Sequence, residues 1–396
     1  MTNRHNVMQI PTKQYQGPSR WGWAFLLLVL VTAVFLRFWQ VGAAPPGLYH
    51  DEAYNGLDAA RVLVEGPSLY FAANNGREPA YIWLTALAVA AVGQTALAVR
   101  LAAAVVGSLT LIPVYLLAKS WFDVRVGLFA AWLWAITLWP VHLSRIGLRA
   151  ILLVPLLALT FWLGTLAFRR QKSWLWLLAG AAYGLSFYTY LAARFTPLLL
   201  ALLLLFLLWR GVDKRLWPGV VWFGLATAVV LLPLALFFWQ NPDLLLGRTG
   251  QVSILSPAIN GGDVWGTLWR QTGAALGMFL WRGDAILRHN PAGRPVFDLF
   301  MAAPFFDRPG LVCVALATDG GGGAAALAGG DALAHYFGGR CPSFFAGGGR
   351  FAGRPAAACS RFGLALVVGT AGYLAAPSIG GGAAGRQFAA DGARLC

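Results

Sequence analysis

From Trp21 onward, long apolar stretches alternate with short polar interruptions, and the apolar stretches are continuous rather than alternating residue by residue. Several hold 18 or more nearly uncharged residues, enough to cross a hydrocarbon core at about 1.5 Å per residue. Lipid tolerates only helices and closed barrels, and continuous apolar runs fit helices. The pattern predicts spans over Trp21–Gln40, Ala96–Ala118, Gly127–Leu143, Ile151–Phe168, Trp174–Tyr190, Phe195–Trp209 and Trp217–Trp239, with another starting near Phe297. Trp and Tyr gather at many of these ends, as an interfacial belt requires. Ala80–Gly93 is apolar but too short for a crossing, and is expected to be an interfacial or re-entrant helix. The fold class is therefore an all-α polytopic membrane protein.

Composition supports this reading, with 58% hydrophobic and 11% charged residues. The formal charge of +15 does not indicate nucleic acid, because much of it lies in short clusters between spans. Those clusters decide orientation. If Ala80–Gly93 does not cross, then Arg4/Lys13/Arg20, Lys119/Arg125, Arg169/Arg170/Lys172 and Arg210/Lys214/Arg215 all face the cytoplasm. If it crosses, three of the four clusters move outside. The positive-inside bias selects the first arrangement, in a cell (inner or plasma) membrane. Residues 1–20 are then a polar cytoplasmic segment and 21–303 a membrane domain of about seven or eight spans. Its external loops are 41–95 and 240–295, with shorter ones around Ser144–Arg149 and Tyr188–Arg194. No cleavable signal peptide is expected, since the first apolar run is long enough to be an anchor.

Residues 304–396 differ from the rest. All 18 Trp lie at or before Trp281, all four Cys (Cys313, Cys341, Cys359, Cys396) lie in the tail, and the tail has no Lys. It also holds close to half of the 47 Gly. It reads either as a flexible Gly/Ala-rich extension or as out-of-frame translation of a GC-rich gene, and the composition favours the second. The Cys spacings match no zinc pattern.

The candidate chemistry lies in the predicted external loops. Asp51 and Glu52 follow the first span and open an amphipathic stretch in which Tyr54, Leu57, Arg61 and Val64 recur at helical spacing. Asp51 is either an N-cap, with Glu52 a first-turn acid, or a base that takes a proton from an attacking hydroxyl. Arg77 and Glu78 precede Pro79, which suits a helix start, and Arg77 is placed to meet a phosphate or to snorkel. Arg145 and Arg149 run against the positive-inside bias and are candidate anion ligands. Arg282, Arg288, His289 and Arg294 close the long external loop, which is either a solvated loop or one that holds a pyrophosphate or headgroup. No ligand spacing marks a metal site, although His50, His289 and scattered carboxylates leave a divalent cation open.

Several of these segments together resemble the GT-C class of membrane glycosyltransferases, specifically glycosyltransferase family 39. That family includes the protein O-mannosyltransferases and the aminoarabinose transferases that modify lipid A. The matching features, in order, are a first span, Asp51-Glu52, the short helix from Glu78-Pro79-Ala80-Tyr81-Ile82-Trp83-Leu84, Ala98-Val99-Arg100-Leu101, and Ser144-Arg145-Ile146-Gly147-Leu148-Arg149. The resemblance covers roughly residues 20–303. It implies a GT-C-like bundle whose first external loop carries juxtamembrane helices. It also implies transfer of a sugar from a polyprenyl-phosphate donor to a lipid, glycan or protein acceptor outside the cytoplasm, with Asp51 as acid-base residue and Glu52 supporting it. Family members often carry Lys before the proline that opens the short helix. Here that position is Glu78, and Arg77 takes the phosphate-binding role. The competing readings are a transporter or flippase of a lipid-linked saccharide and a non-catalytic envelope-assembly subunit.

Resequencing the gene across codons 295–330 and translating the other frames beyond them tests the tail. Trp- and Leu-rich spans are expected in another frame, and their absence would make the tail native.

Overall fold

The computed structural model describes residues 18–209, 216–286, 290 and 293–297. The atypical tail and the predicted span near Phe297 lie almost wholly outside the described residues, and the elements below fall within one compact unit reaching Val296. Among the described residues the regular structure is helical, apart from one isolated antiparallel bridge between Phe71 and Arg77.

The first span is α1 (Arg20–Phe38), begun by the Ser19 hydroxyl, which accepts from the Gly22 amide. After a loop come α2 (His50–Glu65) and the short apolar α3 (Ala80–Val92), which ends at Gly93 in positive φ. The 13 residues of α3 reach about 20 Å, well short of a hydrocarbon core of about 30 Å. Its start is tied to the segment at Tyr188 through Ala80 N–H to Tyr188 O, 2.9 Å. Leu97, five residues beyond Val92, packs on Gly42 in the first loop.

α4 (Ala96–Leu109) and α5 (Leu111–Trp121) form one bent span. Pro113 has no N–H for the Leu109 carbonyl, and the Thr110 hydroxyl bonds back to Val106 O at 2.7 Å. The sequence predicts a single span over 127–143, but two pieces stand there, α6 (Val124–Ile136) and α7 (Leu138–Leu143). Pro140 cannot donate to Ile136, and Thr137 turns extended, with ψ 132°. α8 (Leu153–Arg170) continues a 3-10 turn over Arg149–Leu152, α9 is Ser173–Ser186, α10 (Thr196–Trp209) continues a 3-10 turn over Leu191–Phe195, and α11 is Leu216–Gln240. Five helical stretches among the described residues are long and apolar enough to span: Arg20–Phe38, Ala96–Trp121, Arg149–Arg170, Leu191–Trp209 and Leu216–Gln240. The segments 127–143 and 174–190, also predicted as spans, are helical but shorter or interrupted.

The core joins α1, α5, α6, α8 and α9 through Val29, Ala33, Val114, Ala131, Leu157 and Tyr183. Without a hydrophobic force between helices in lipid, close backbone approach matters more than bulk. α9 and α11 show it. A Cβ on Gly180 would stand 2.2 Å from Phe223 O, and one on Gly184 would stand 2.9 Å from Val230 Cβ. The Thr227 hydroxyl bonds to the Gly180 carbonyl at 3.0 Å.

The break in α6 explains a charge inside the first span. Arg37 is fully buried, and an arginine in a membrane helix is costly unless its donors are met. The interrupted helix leaves the carbonyls of Trp134 and Ala135 without their usual partners. Arg37 takes both, at 2.9 and 3.1 Å, and its Nε donates to Ser144 Oγ at 3.1 Å.

Gly180→Ala is expected to cost about 1–3 kcal/mol, because the contact it strikes is backbone. Gly164→Ala in α8 meets nothing within 4 Å and should be neutral or gain up to about 1 kcal/mol. Melting temperatures in detergent check both, and equal effects would contradict the packing described.

Candidate functional site

The polar loops converge on one face of the bundle around α2. This helix is turned opposite to a water-soluble amphipathic helix. Its buried residues are Glu52, Asn55, Asp58 and Ala59, whereas Leu57, Leu63 and Val64 are exposed. The polar side chains face inward because the neighbouring segments supply charges and backbone groups for them.

Glu52 is 2% exposed. Its Oε1 accepts from Arg100 Nε at 2.9 Å and from the Gly147 amide at 2.8 Å. Its Oε2 accepts from the Tyr49 amide at 2.9 Å, closing the helix start, and from Arg100 Nη2 at 3.5 Å. Arg100, on α4, is 1% exposed. Its remaining donors reach the carbonyls of Val41 (3.3 Å), Pro45 (2.7 Å) and Gly47. All five guanidinium N–H groups are thereby used. This pair pins the first loop, the start of α2, α4 and the 144–149 loop together. Asn55 Nδ2 also donates to the Gly147 carbonyl at 2.8 Å, so α2 holds both faces of one peptide unit. The residue there must be small, since a Cβ on Gly147 would stand 2.5 Å from Val99 Cγ1.

Asp51 is not the N-cap; Tyr49 holds that position and Asp51 is the second residue of the helix. Its side chain is 32% exposed. Asn74 Nδ2 donates to Asp51 Oδ1 at 2.6 Å, and His50 Nδ1 stands 3.8 Å from the same oxygen. Asn74 reaches it because the 71–77 hairpin closes through a left-handed turn, with φ 51° at Asn74, 63° at Asn75 and 82° at Gly76.

Arg77 differs from its predicted role. It is 2% exposed and forms a buried ion pair with Asp58, donates Nη1 to Asn55 Oδ1 at 2.9 Å and Nε to Ala73 O at 3.2 Å, and covers the Tyr54 ring at 5.4 Å. Burial pushes its guanidinium below the usual arginine range, and Asp58 opposes that shift. Its donors are spent on holding the hairpin to α2. Arg145 is likewise a fastener, giving Nη1 to Leu36 O at 2.9 Å and Nη2 to Ala44 O at 3.1 Å. Burial first, and then the like charge of Arg100, hold it below the usual range.

The arginines nearer the open side are Arg149, at the start of the 3-10 turn before α8, and Arg194, on the turn before α10. Glu78 lies between them. Its Oε2 is 3.5 Å from Arg149 Nη1 and its Oε1 is 3.4 Å from Arg194 Nη2. Arg149 also donates to Gly76 O at 3.2 Å and lies over the Tyr190 ring, while Arg194 donates to Leu245 O at 2.9 Å and lies over Phe238. The charges of Asp51 and Arg149 both bear on Arg77, so the acid and this basic group share one neighbourhood. Sequence reading did not single out Arg194, Asn74, Asn55, Asp58 or Arg37. An arginine inside an apolar span and the Asn74-Asn75-Gly76 turn were available signals.

Arg282 and Arg294 are exposed on a separate loop after the helix Val264–Gly277, closed by Gly283 N–H to Gly293 O at 2.9 Å. Arg288 and His289 lie outside the described residues. Among the described residues no group of three or more His, Cys, Asp or Glu could hold a metal ion.

Residues 76–239 match the family model of dolichyl-phosphate-mannose-protein mannosyltransferases, which bears out the resemblance to GT-C-class membrane glycosyltransferases. No curated protein matches the chain significantly. Among solved structures, the apo oligosaccharyltransferase of Archaeoglobus fulgidus is similar at 20% identity and a TM-score of 0.49, over 78% of this chain and 40% of that one. The oligosaccharyltransferase AglB of Archaeoglobus fulgidus, with an inhibitory peptide and dolichol-phosphate, is similar at 20% identity and a TM-score of 0.48, over 75% and 39%. ArnT from Cupriavidus metallidurans, bound to undecaprenyl phosphate, is similar at 18% identity and a TM-score of 0.46, over 75% and 64%. The chain thus spans 40% of the length of the first of these structures.

Glu52→Ala is expected to destabilise the protein by about 3–5 kcal/mol, because it strands the buried Arg100 charge. Thermal unfolding in detergent checks this, and a loss under about 1 kcal/mol would contradict the pinning role.

Proposed function

We propose that this multi-pass membrane protein is a glycosyltransferase. It transfers a sugar from a polyprenyl-phosphate-linked donor to an acceptor hydroxyl on the extracytoplasmic face of the cell membrane. The family match over residues 76–239 supports the reaction class, and that family is named for a dolichyl-phosphate sugar donor. The observation that carries the site assignment is the contrast between two adjacent acids. Glu52 has both oxygens committed to the fold, whereas Asp51 keeps a partly exposed carboxylate, held by Asn74 beside a basic cluster.

In this reading Asp51 takes the proton of the acceptor hydroxyl as its oxygen attacks the anomeric carbon. The bond to the lipid phosphate breaks, and the phosphate leaves as an anion. Nearby guanidinium groups stabilise that departing charge, a role assigned here to Arg149 because its guanidinium is partly exposed. Glu52 fixes the helix start that carries Asp51. Arg77 and Arg145 fasten the loops around it. The sugar donor stays in the lipid while the acceptor comes from the water side, so a carboxylate at the first turn of a loop helix meets both.

Asp51→Asn preserves the Asn74 contact and is expected to lower transfer by at least about a hundredfold with an unchanged melting temperature. Product formation by purified protein in detergent measures it. Full activity in that variant would remove Asp51 from the reaction, and the absence of product from the wild-type protein with any polyprenyl-phosphate sugar would sink the enzyme assignment.

A further inference from the structure

Glu78 occupies an unusual position. Its side chain is 3% exposed, yet no hydrogen bond in the structure reaches its Oε2. A buried carboxylate oxygen without a hydrogen bond is expensive. Oε2 instead faces the Arg149 guanidinium at 3.5 Å, while Oε1 accepts from Arg194 Nη2 at 3.4 Å, and the two groups arrive from different loop segments. Those groups are partly open, at 13% for Arg149 and 18% for Arg194. Each has an aromatic ring beneath it and a backbone carbonyl fixing one nitrogen. Arg149 reaches both Gly76 and Glu78 through the same nitrogen, Nη1. Two like charges brought this close separate unless an anion lies between them. No other acidic side chain forms an ion pair with both among the described residues.

We propose that Glu78 is a positioning residue. Its carboxylate holds Arg149 and Arg194 as a two-guanidinium clamp whose outer edge takes the phosphate of a polyprenyl phosphate, with Arg194 as the second arm. This rests on the reading of the protein as a polyprenyl-phosphate-dependent transferase. Two planar forks are suited to a phosphate because each offers parallel N–H donors to its oxygens. With one carboxylate between two arginines the cluster keeps a net charge of +1, which favours a bound anion. The arrangement also accounts for Glu78 itself. An acid beside a phosphate site would repel the ligand unless its charge is already matched by arginines that it orders.

The test is binding of undecaprenyl phosphate by the purified full chain in detergent, with undecaprenol as the uncharged control. The variants are Arg149→Ala, Arg194→Ala, Glu78→Gln and Glu78→Asp, with Arg270→Ala as a distant surface control. Each arginine variant should weaken binding by about tenfold or more, as expected for a lost charge-assisted contact. If Glu78 acted only by its charge, Glu78→Gln would bind phosphate more tightly than wild type. Positioning predicts the opposite, a severalfold loss, with partial recovery in Glu78→Asp. Glu78→Gln should add little to the Arg149→Ala/Arg194→Ala double variant, since it acts through those two side chains, whereas a general structural defect would add in full. Wild-type preference for the phosphate over undecaprenol, with Arg194→Ala unaffected, would overturn the clamp and leave the proposed function standing. No preference in the wild type would overturn both. Should Glu78→Gln fail to fold, Arg149→Lys and Arg194→Lys carry the test. They keep the charge but lose the fork, and undiminished binding in both would overturn the proposal.

Discussion

A buried guanidinium with every donor engaged organises the loop face of this protein. Arg100 binds one acid and three carbonyls, and its acid, Glu52, also caps α2 and holds the 144–149 loop. Taking two charges out of water is costly, and proximity alone does not return that cost. It is offset here because each remaining N–H and lone pair also has a partner. Such an arrangement tolerates little displacement. The 41–47 loop, the start of α2 and the 144–149 loop therefore share one geometry instead of moving as separate surface loops.

The same solution recurs on a smaller scale. Arg37 meets the carbonyls exposed where Pro140 interrupts α6, and Arg77 meets Asp58 and Asn55 on α2. Inside a bundle in lipid, a polar group left unmatched has no water to turn to. Arginine suits this task because its planar fork reaches several acceptors at once. The consequence for the site is a division of labour among residues of the same type. Arg37, Arg77, Arg100 and Arg145 fasten loops and helices together, while Arg149 and Arg194 remain partly exposed around Glu78, and Asp51 is partly exposed on the neighbouring α2. A carboxylate and a pair of guanidinium groups held on rigid supports suit the proposed reaction, in which a phosphate anion leaves.

α2 shows how environment decides a helix's facing. Leu57 and Val64 recur at helical spacing, which in a soluble domain would place them in the core. Here they are outside, and Glu52, Asn55 and Asp58 are within. The inversion is consistent with a helix bordering apolar surroundings while its polar side faces a charged interior.

Much was determined by the sequence alone. Apolar runs longer than a bilayer needs point to helices, and the shortness of Ala80–Val92 together with the charge clusters between spans argued against its crossing. The ordered series of short motifs pointed to a resemblance that the family match over residues 76–239 supports. The interruptions at Thr137 and Ser186 were less legible, because an apolar run conceals whether its helix continues. Tertiary structure alone decided which acids and arginines meet. Asp51 and Glu52 are neighbours of the same chemical type, and nothing in their spacing says that one turns to Arg100 and Gly147 while the other turns to Asn74. Arg77 and Arg149 both read as anion ligands, yet Arg77 is itself buried against Asp58, whereas Arg149 is partly exposed beside Glu78. Partners 19 and 48 residues away set those fates, and pairing at such separations is a property of packing, which periodicity and local composition do not encode.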